Sequence, residues 1–252
     1  MIYTITITLA LFLDWPSSSL KSADGIESEV QSEWQDANDA GWRAFLSGDL
    51  AKAEEQFKAA IEVMRPYQPG DLRLLARSYC DLAQVLFRQS RFDQAEPLAK
   101  WALKVREKHP RIQTETLYQN LYVLAQIHCA QRRFADAEPL LRRALALQEK
   151  TFGAGNAALA TTLDDLAGVV SQVGKLAEAD SLYKRALAIR TKTLPANDLD
   201  IAETSEHYAV LLRRLNRLTE AEWQEARARS IRSEAATANR ATREVGASAG
   251  NP

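Results

Sequence analysis

From Trp34 onward the chain alternates between two kinds of helical stripe. Apolar or small residues fall at i, i+3, i+4 and i+7 in Tyr79, Leu82, Ala83 and Leu86. The same spacing returns in Leu121, Leu124, Ala125 and His128, in Leu163, Leu166, Ala167 and Val170, and in Ser205, Tyr208, Ala209 and Leu212. That spacing lines one face of an α-helix. A short polar break follows each stripe (Gln89-Ser90-Arg91, Gln131-Arg132-Arg133, Val173-Gly174-Lys175, Asn216-Arg217) and leaves room only for an antiparallel helical hairpin. The second helix of each hairpin is expected to begin at Leu50, Phe92, Phe134, Leu176 and Leu218. Pro97 and Pro139 are expected near the first turn of theirs, where few amides have a helical partner.

The second helices carry the strongest regularity. Ala53, Ala95, Ala137, Ala179 and Ala221 follow one another at intervals of 42 residues, and Ala60, Ala102, Ala144, Ala186 and Ala228 repeat the interval. A fixed period of this size predicts an all-α stacked solenoid, in which each unit buries its apolar face on its neighbours. Alanine suits close helix crossings because a larger side chain forces the backbones apart. Between repeats, Pro66-Tyr67-Gln68-Pro69-Gly70-Asp71, His109-Pro110, Gly153-Ala154-Gly155-Asn156 and Pro195-Ala196-Asn197-Asp198 read as helix stops followed by Asp or Asn caps.

The chain divides accordingly. Residues 1–33 are an apolar, signal-like segment and polar linker, residues 34–232 hold five repeats (about 34–70, 71–109, 110–155, 156–196 and 197–232), and residues 233–252 form a polar tail. Met1 to Leu13 has the length of a secretory apolar core, well short of the ~20 residues of a spanning helix. That length makes export to a secreted or periplasmic location the expectation; the absence of a preceding Lys or Arg and the weak cleavage candidate Ser17-Ser18-Ser19 speak for the alternative, a cytoplasmic chain. In the fifth repeat, Gln224 and Glu225 stand where the fourth has Leu182 and Tyr183, the pattern of an end unit facing water.

Charge and composition narrow the partners. Lys and Arg number 32 against 33 acidic residues, which lacks the basic excess that phosphate-backbone binding uses. Cys80 and Cys129 are too few for a disulfide framework or a zinc site and are expected reduced. His109, His128 and His207 come from different repeats without ligand spacing, and Ser205-Glu206-His207 are neighbours that a helix splays apart. The segment Gly153-Ala154-Gly155 lacks the continuation of a phosphate loop. No catalytic constellation, metal site, cofactor site or small-molecule substrate is expected.

A helix–turn–helix unit with small-x3-aromatic-x2-small in its second helix, as in Ala53-Phe57-Ala60 and Ala179-Tyr183-Ala186, resembles the tetratricopeptide repeat, whose usual period is 34. The 42-residue version, with Ala137-Glu138-Pro139-Leu140-Leu141-Arg142-Arg143-Ala144-Leu145, is similar to the long-helix subclass of kinesin light chains. HEAT and armadillo units have comparable periods. The alanine columns and short turns favour the tetratricopeptide reading. The resemblance implies a right-handed superhelix whose inner wall, built from first helices, holds a protein or peptide segment. On this chain the inner-wall positions are Asn38, Asp39, Trp42, Phe45, Arg77, Asp81, Gln84, Phe87, Arg88, Tyr122, Gln126, Asp164, Asp165, Gln172, Glu206, Arg213 and Arg214. The paired asparagines that relatives carry are replaced here by Cys80-Asp81, Tyr122-Val123, Asp164-Asp165 and Glu206-His207.

Trp42, Phe45, Phe87 and Tyr122 are read either as an aromatic anchor or as ordinary interhelix packing. Trp101 replaces the residues Ala59, Arg143, Arg185 and Arg227 of the other repeats, so it marks either a second contact patch or packing under the loop from Pro66 to Gly70. Asp164, Asp165, Glu203 and Glu206 form an acidic region that would attract a basic ligand or a metal, or else stand as a solvated face. The expected function is a non-enzymatic interaction scaffold. The rivals are a self-associating structural repeat protein and an accessory regulatory subunit.

Overall fold

The computed structural model describes residues 28–65, 72–108 and 114–248. The signal-like segment, most of its linker, the loop Pro66 to Asp71 and the His109-Pro110 break lie outside the described residues. Ten α-helices run through the rest: α1 (Ser28–Leu46), α2 (Leu50–Met64), α3 (Leu72–Arg88), α4 (Phe92–Lys108), α5 (Thr114–Ala130), α6 (Phe134–Phe152), α7 (Leu159–Gln172), α8 (Leu176–Thr193), α9 (Leu199–Arg214) and α10 (Leu218–Ser248). Every second helix starts at the residue its apolar position predicts. The last runs on to Ser248, so the polar stretch after residue 232 continues α10.

The helices group into two compact units, Met1–Thr151 and Phe152–Pro252. In the first, α1 to α6 enclose one core that reaches from Trp34 through Leu75, Leu86, Ala102 and Leu121 to Ala144. In the second, Leu159, Leu163, Leu166, Ile201, Leu211 and Leu212 are fully buried among α7 to α10. All five alanines of the leading column, Ala53 to Ala221, have no exposed surface, and the Ala60 to Ala228 column is equally hidden. The methyl groups are therefore the interior of each helix crossing, as the spacing predicts. In the first hairpin the approach is closer still: a Cβ on Gly41 would lie 2.7 Å from the Phe57 ring, where the other first helices carry Ala83, Ala125, Ala167 and Ala209.

The turn inside each hairpin is one structure used five times. Gly48, Ser90, Arg132, Gly174 and Asn216, again 42 residues apart, all adopt positive φ, from 59° at Asn216 to 95° at Gly174. At Ser90 the geometry closes a helix end: its N–H donates to the Phe87 carbonyl at 2.9 Å, and the Arg91 N–H donates to the Leu86 carbonyl at 2.8 Å. The same two bonds recur at the other four turns. A left-handed residue lets carbonyls of the last helical turn find donors, and glycine meets that demand without a Cβ penalty. Ser90, Arg132 and Asn216 meet it as side-chain-bearing residues.

Two helices carry side-chain caps of the expected kind: Asp49 accepts from the Lys52 amide at 3.0 Å and Asp198 from the Asp200 amide at 2.9 Å. Asn156 accepts from the Ala158 amide at 2.9 Å in the turn before α7, whose own cap position, Ala158, makes no side-chain bond. The prolines differ from expectation. Pro97 and Pro139 lie inside α4 and α6, five residues after the helix starts. At that depth a proline removes one helical bond, here to the carbonyls of Asp93 and Ala135. Both prolines are exposed, so water can reach this side of the helix.

Candidate partner-binding face

The first helices of the first unit, α1, α3 and α5, carry most of the expected inner-wall residues, and the structure buries many of them. Asn38, Phe45, Asp81, Gln84, Tyr122 and Gln126 are all buried, while Trp42, Arg77 and Phe87 are half-buried and Asp39 and Arg88 exposed. The aromatic residues pack on their own chain. Trp42 meets Phe45 and Phe57 edge-on, with ring centroids 5.4 and 5.7 Å apart, and Phe87 leans on Phe92 at 5.8 Å. Arg88 places its guanidinium over the Phe45 ring, and Arg77 does so over Trp34. Trp101, half-buried, packs edge-on against Tyr79 at 4.7 Å; the loop from Pro66 to Gly70, its expected cover, lies outside the described residues.

Polar groups are buried beside these rings in a way that leaves hydrogen bonds unmade. Among the described residues, Asp81 Oδ2, Gln84 Nε2 and both amide atoms of Asn120 and Gln126 are buried without a hydrogen-bond partner. Arg106 Nε and Nη1, at the end of α4, share that condition. Burial raises the Asp81 carboxyl to about 6, although Arg77, Arg106 and a hydrogen bond from Trp42 all pull it down. Burial also pushes the neighbouring Cys80 thiol up to about 12, which leaves it protonated and unreactive. Cys80 and Cys129 are both free thiols.

In the second unit the expected residues are mostly occupied by one another. Asp164, buried on α7, meets His207 Nδ1 of α9 through Oδ2 at 2.7 Å. Burial disfavours the imidazolium, but the Asp164 bond and the charges of Asp164, Glu203 and Asp165 outweigh it and hold His207 at about 9. Glu206 binds Arg232 at 2.7 Å, and Arg213 binds Glu225 at 2.8 Å. Arg214 donates to the Ser171 carbonyl and hydroxyl at 2.9 and 2.6 Å. Asp165 is half-buried and Gln172 exposed. The acidic region expected to draw a basic ligand is thus offset by His207 and Arg232, and among the described residues no group of three His, Cys, Asp or Glu is placed to hold a metal. Nor is any described helix long and apolar enough to cross a membrane.

A polar column also runs through the repeats beside the apolar ones. Glu54, Glu96, Glu138 and Asp180 lie 42 residues apart, and each pairs with the base four residues on: Lys58, Lys100, Arg142 and Lys184. Three of them also take an arginine from the turn of the next hairpin: Glu54 with Arg91 at 2.6 Å, Glu96 with Arg133 at 2.9 Å and Asp180 with Arg217 at 2.5 Å. Burial works against these carboxylates, yet the hydrogen bonds from their basic partners hold Glu54 and Glu96 at about 2. Reading the 42-residue period through charged positions as well as alanines reveals this ladder in the sequence.

Comparison with known proteins agrees with the geometry. A model of the tetratricopeptide repeat matches residues 44–108 and 117–192. No curated protein matches. Among solved structures, BtubC (BKLC) from P. vanneervenii is 20% identical with a TM-score of 0.67, over 82% of this chain and 92% of its own. The TPR-like repeats of a kinesin-light-chain-type protein from Podosopora anserina are 18% identical with a TM-score of 0.67, over 83% of this chain and 99% of theirs. A Rap protein complexed with Competence and Sporulation Factor is 17% identical with a TM-score of 0.60, over 79% of this chain and 54% of its own.

Proposed function

Since the chain belongs to the tetratricopeptide repeat family, we propose that it is a non-catalytic scaffold that holds an extended segment of a partner protein against α1, α3 and α5. The observation that carries this reading is a pair of buried carboxamides one period apart, Gln84 with its Nε2 and Gln126 with both amide atoms lacking a hydrogen-bond partner among the described residues. Buried polar groups left unmet cost roughly 1–3 kcal/mol each. A polypeptide backbone brings both N–H and C=O groups, which is what carboxamides need. Asp39, Arg77 and Arg88 at the rim add charges of both signs, and the half-buried rings of Trp42 and Phe87 add apolar surface. The Rap protein complexed with Competence and Sporulation Factor is a precedent for a ligand on this fold.

The test is affinity purification from the native extract followed by mass spectrometry, with the parent chain beside a Gln84→Leu/Gln126→Leu variant. The variant replaces unmet polar groups by apolar ones, so its helicity and melting temperature are expected to hold or rise while its partners are lost. An unchanged set of partners would overturn the assignment of this face.

A further inference from the structure

The second unit carries a cavity that the partner-binding face does not involve. It has a volume of about 420 Å³ and lies between α8 and α10, with Leu187, Ala188 and Thr191 on one side, Trp223, Gln224 and Arg227 on the other, and Tyr208 of α9. Its size suits a large side chain together with its neighbours.

The repeat shows how this wall differs from its counterparts. The Gln224 position is leucine in the three preceding second helices, Leu98, Leu140 and Leu182, each half-buried. In α10 a glutamine stands there, 8% exposed, with its Oε1 unpartnered among the described residues. A buried acceptor with no donor, on the wall of a cavity, calls for an N–H group. Beside it Trp223 is 59% exposed, the most exposed large apolar side chain among the described residues.

The charge pattern departs from the repeat at the same place. Arg143, two periods before Arg227, reaches Glu107 at 2.7 Å. The positions one and two periods after Glu107 are Glu149 and Thr191, so the residue that faces this cavity is a threonine, with no charge to offer Arg227. Arg227 instead lies over the Trp223 ring, 5.7 Å from its centroid. The other charged groups of the cavity are paired: Lys184 with Asp180 and Glu220 with Arg217. What remains is an apolar slot, a hydrogen-bond acceptor and one cation.

We propose that this cavity is a second protein-binding site, specific for a short segment in which an aromatic or leucine side chain adjoins an aspartate or glutamate. The apolar side chain fills the slot against Leu187, Tyr208 and Trp223. The carboxylate pairs with Arg227, and a backbone N–H of the segment donates to Gln224.

The experiment is selection of a random seven-residue peptide display library on the full chain, followed by fluorescence anisotropy on the enriched peptides. Peptides combining Phe, Trp or Leu with an adjacent Asp or Glu are expected. Trp223→Ala and Arg227→Glu should each weaken them at least about tenfold, the loss expected on removing a central anchor. Gln224→Leu restores the residue of the other repeats, so it should raise the melting temperature while abolishing binding. Gln84→Leu/Gln126→Leu should leave these peptides bound, which separates this site from the face on α1, α3 and α5. Absence of enrichment, enrichment without an acidic residue, or peptides that bind the Gln224→Leu chain as well as the parent would each overturn the proposal.

Discussion

Arg106 and Arg190 occupy the same place in their repeats, two periods apart, and both are nearly sealed from water, at 5% and 3% exposure. Their surroundings differ. Arg190 donates to the Asp200 carbonyl at 2.5 Å, to the Thr204 hydroxyl and to the Thr161 hydroxyl at 3.2 Å, so α8 is tied to both α7 and α9. At the positions equivalent to Thr161 and Thr204, the first unit has Arg77 and Asn120. Burial lowers the Arg106 pKa, opposed by Cys80 and Asp81, and repulsion from Arg77 adds to the lowering. Asn120 has both amide atoms unmet. One side chain at one position is therefore a clasp in the second unit and an unmet need in the first. A buried charge stabilises only through the partners that surround it.

The comparison can be broken most forcefully at its satisfied end. Arg190→Met removes the hydrogen bonds that join α8 to the Asp200 carbonyl and to the Thr161 and Thr204 hydroxyls, and is expected to lower unfolding stability by roughly 3 kcal/mol in urea titration. A loss below about 1 kcal/mol would mean that Arg190 is no better off than Arg106. The same exchange at the unmet end, Arg106→Met, should be neutral or stabilising by about 1–2 kcal/mol, because an apolar side chain replaces an under-bonded buried cation. A loss comparable with that of Arg190→Met would show that Arg106 is bound after all.

Acidity separates the paired groups of the second unit further. His207 is held above its ordinary 6.5, at about 9, so its protonated form favours the folded state. Its contribution is complete below pH 6.5 and is lost as pH rises through about 9. Urea midpoints measured from pH 6 to 10 should fall across that window, and His207→Gln should flatten the fall. The smallest effect is expected in a feature common to both units. Arg132→Gly puts at the left-handed turn of the first unit the residue that Gly174 already supplies in the second, and should add about 0.5–1 kcal/mol to stability. An unchanged or lowered urea midpoint would mean that the arginine carries no backbone strain there.

The helices were legible because their signals are local and repeated. The alanine columns, the polar breaks and the apolar starts at Leu50, Phe92, Phe134, Leu176 and Leu218 each bear on backbone geometry within one turn, and five copies average out noise. The inner-wall residues were harder to place. Sequence spacing assigns Gln84, Tyr122 and Gln126 to one side of their helices, but how deeply that side sinks depends on how close the neighbouring helices approach, which no single helix encodes. The charged ladder was readable in the same period, yet it demands comparing positions such as Glu54 and Arg91 that belong to different repeats. Gln224 was visible as a departure from leucine. That it is buried beside a cavity, instead of facing water as an end cap, follows only from the fold.

The five left-handed residues at one fixed interval constrain how such a gene can change. Losing or gaining a single codon inside a helix would swing every later side chain of that helix by about 100° and carry the turn residue off its mark. Duplication or excision of a whole 42-residue segment leaves every turn, alanine and carboxylate opposite its proper mate. Growth by whole copies thus keeps the turns in phase, and Ser90 and Arg132 show that the same turn holds with a residue other than glycine.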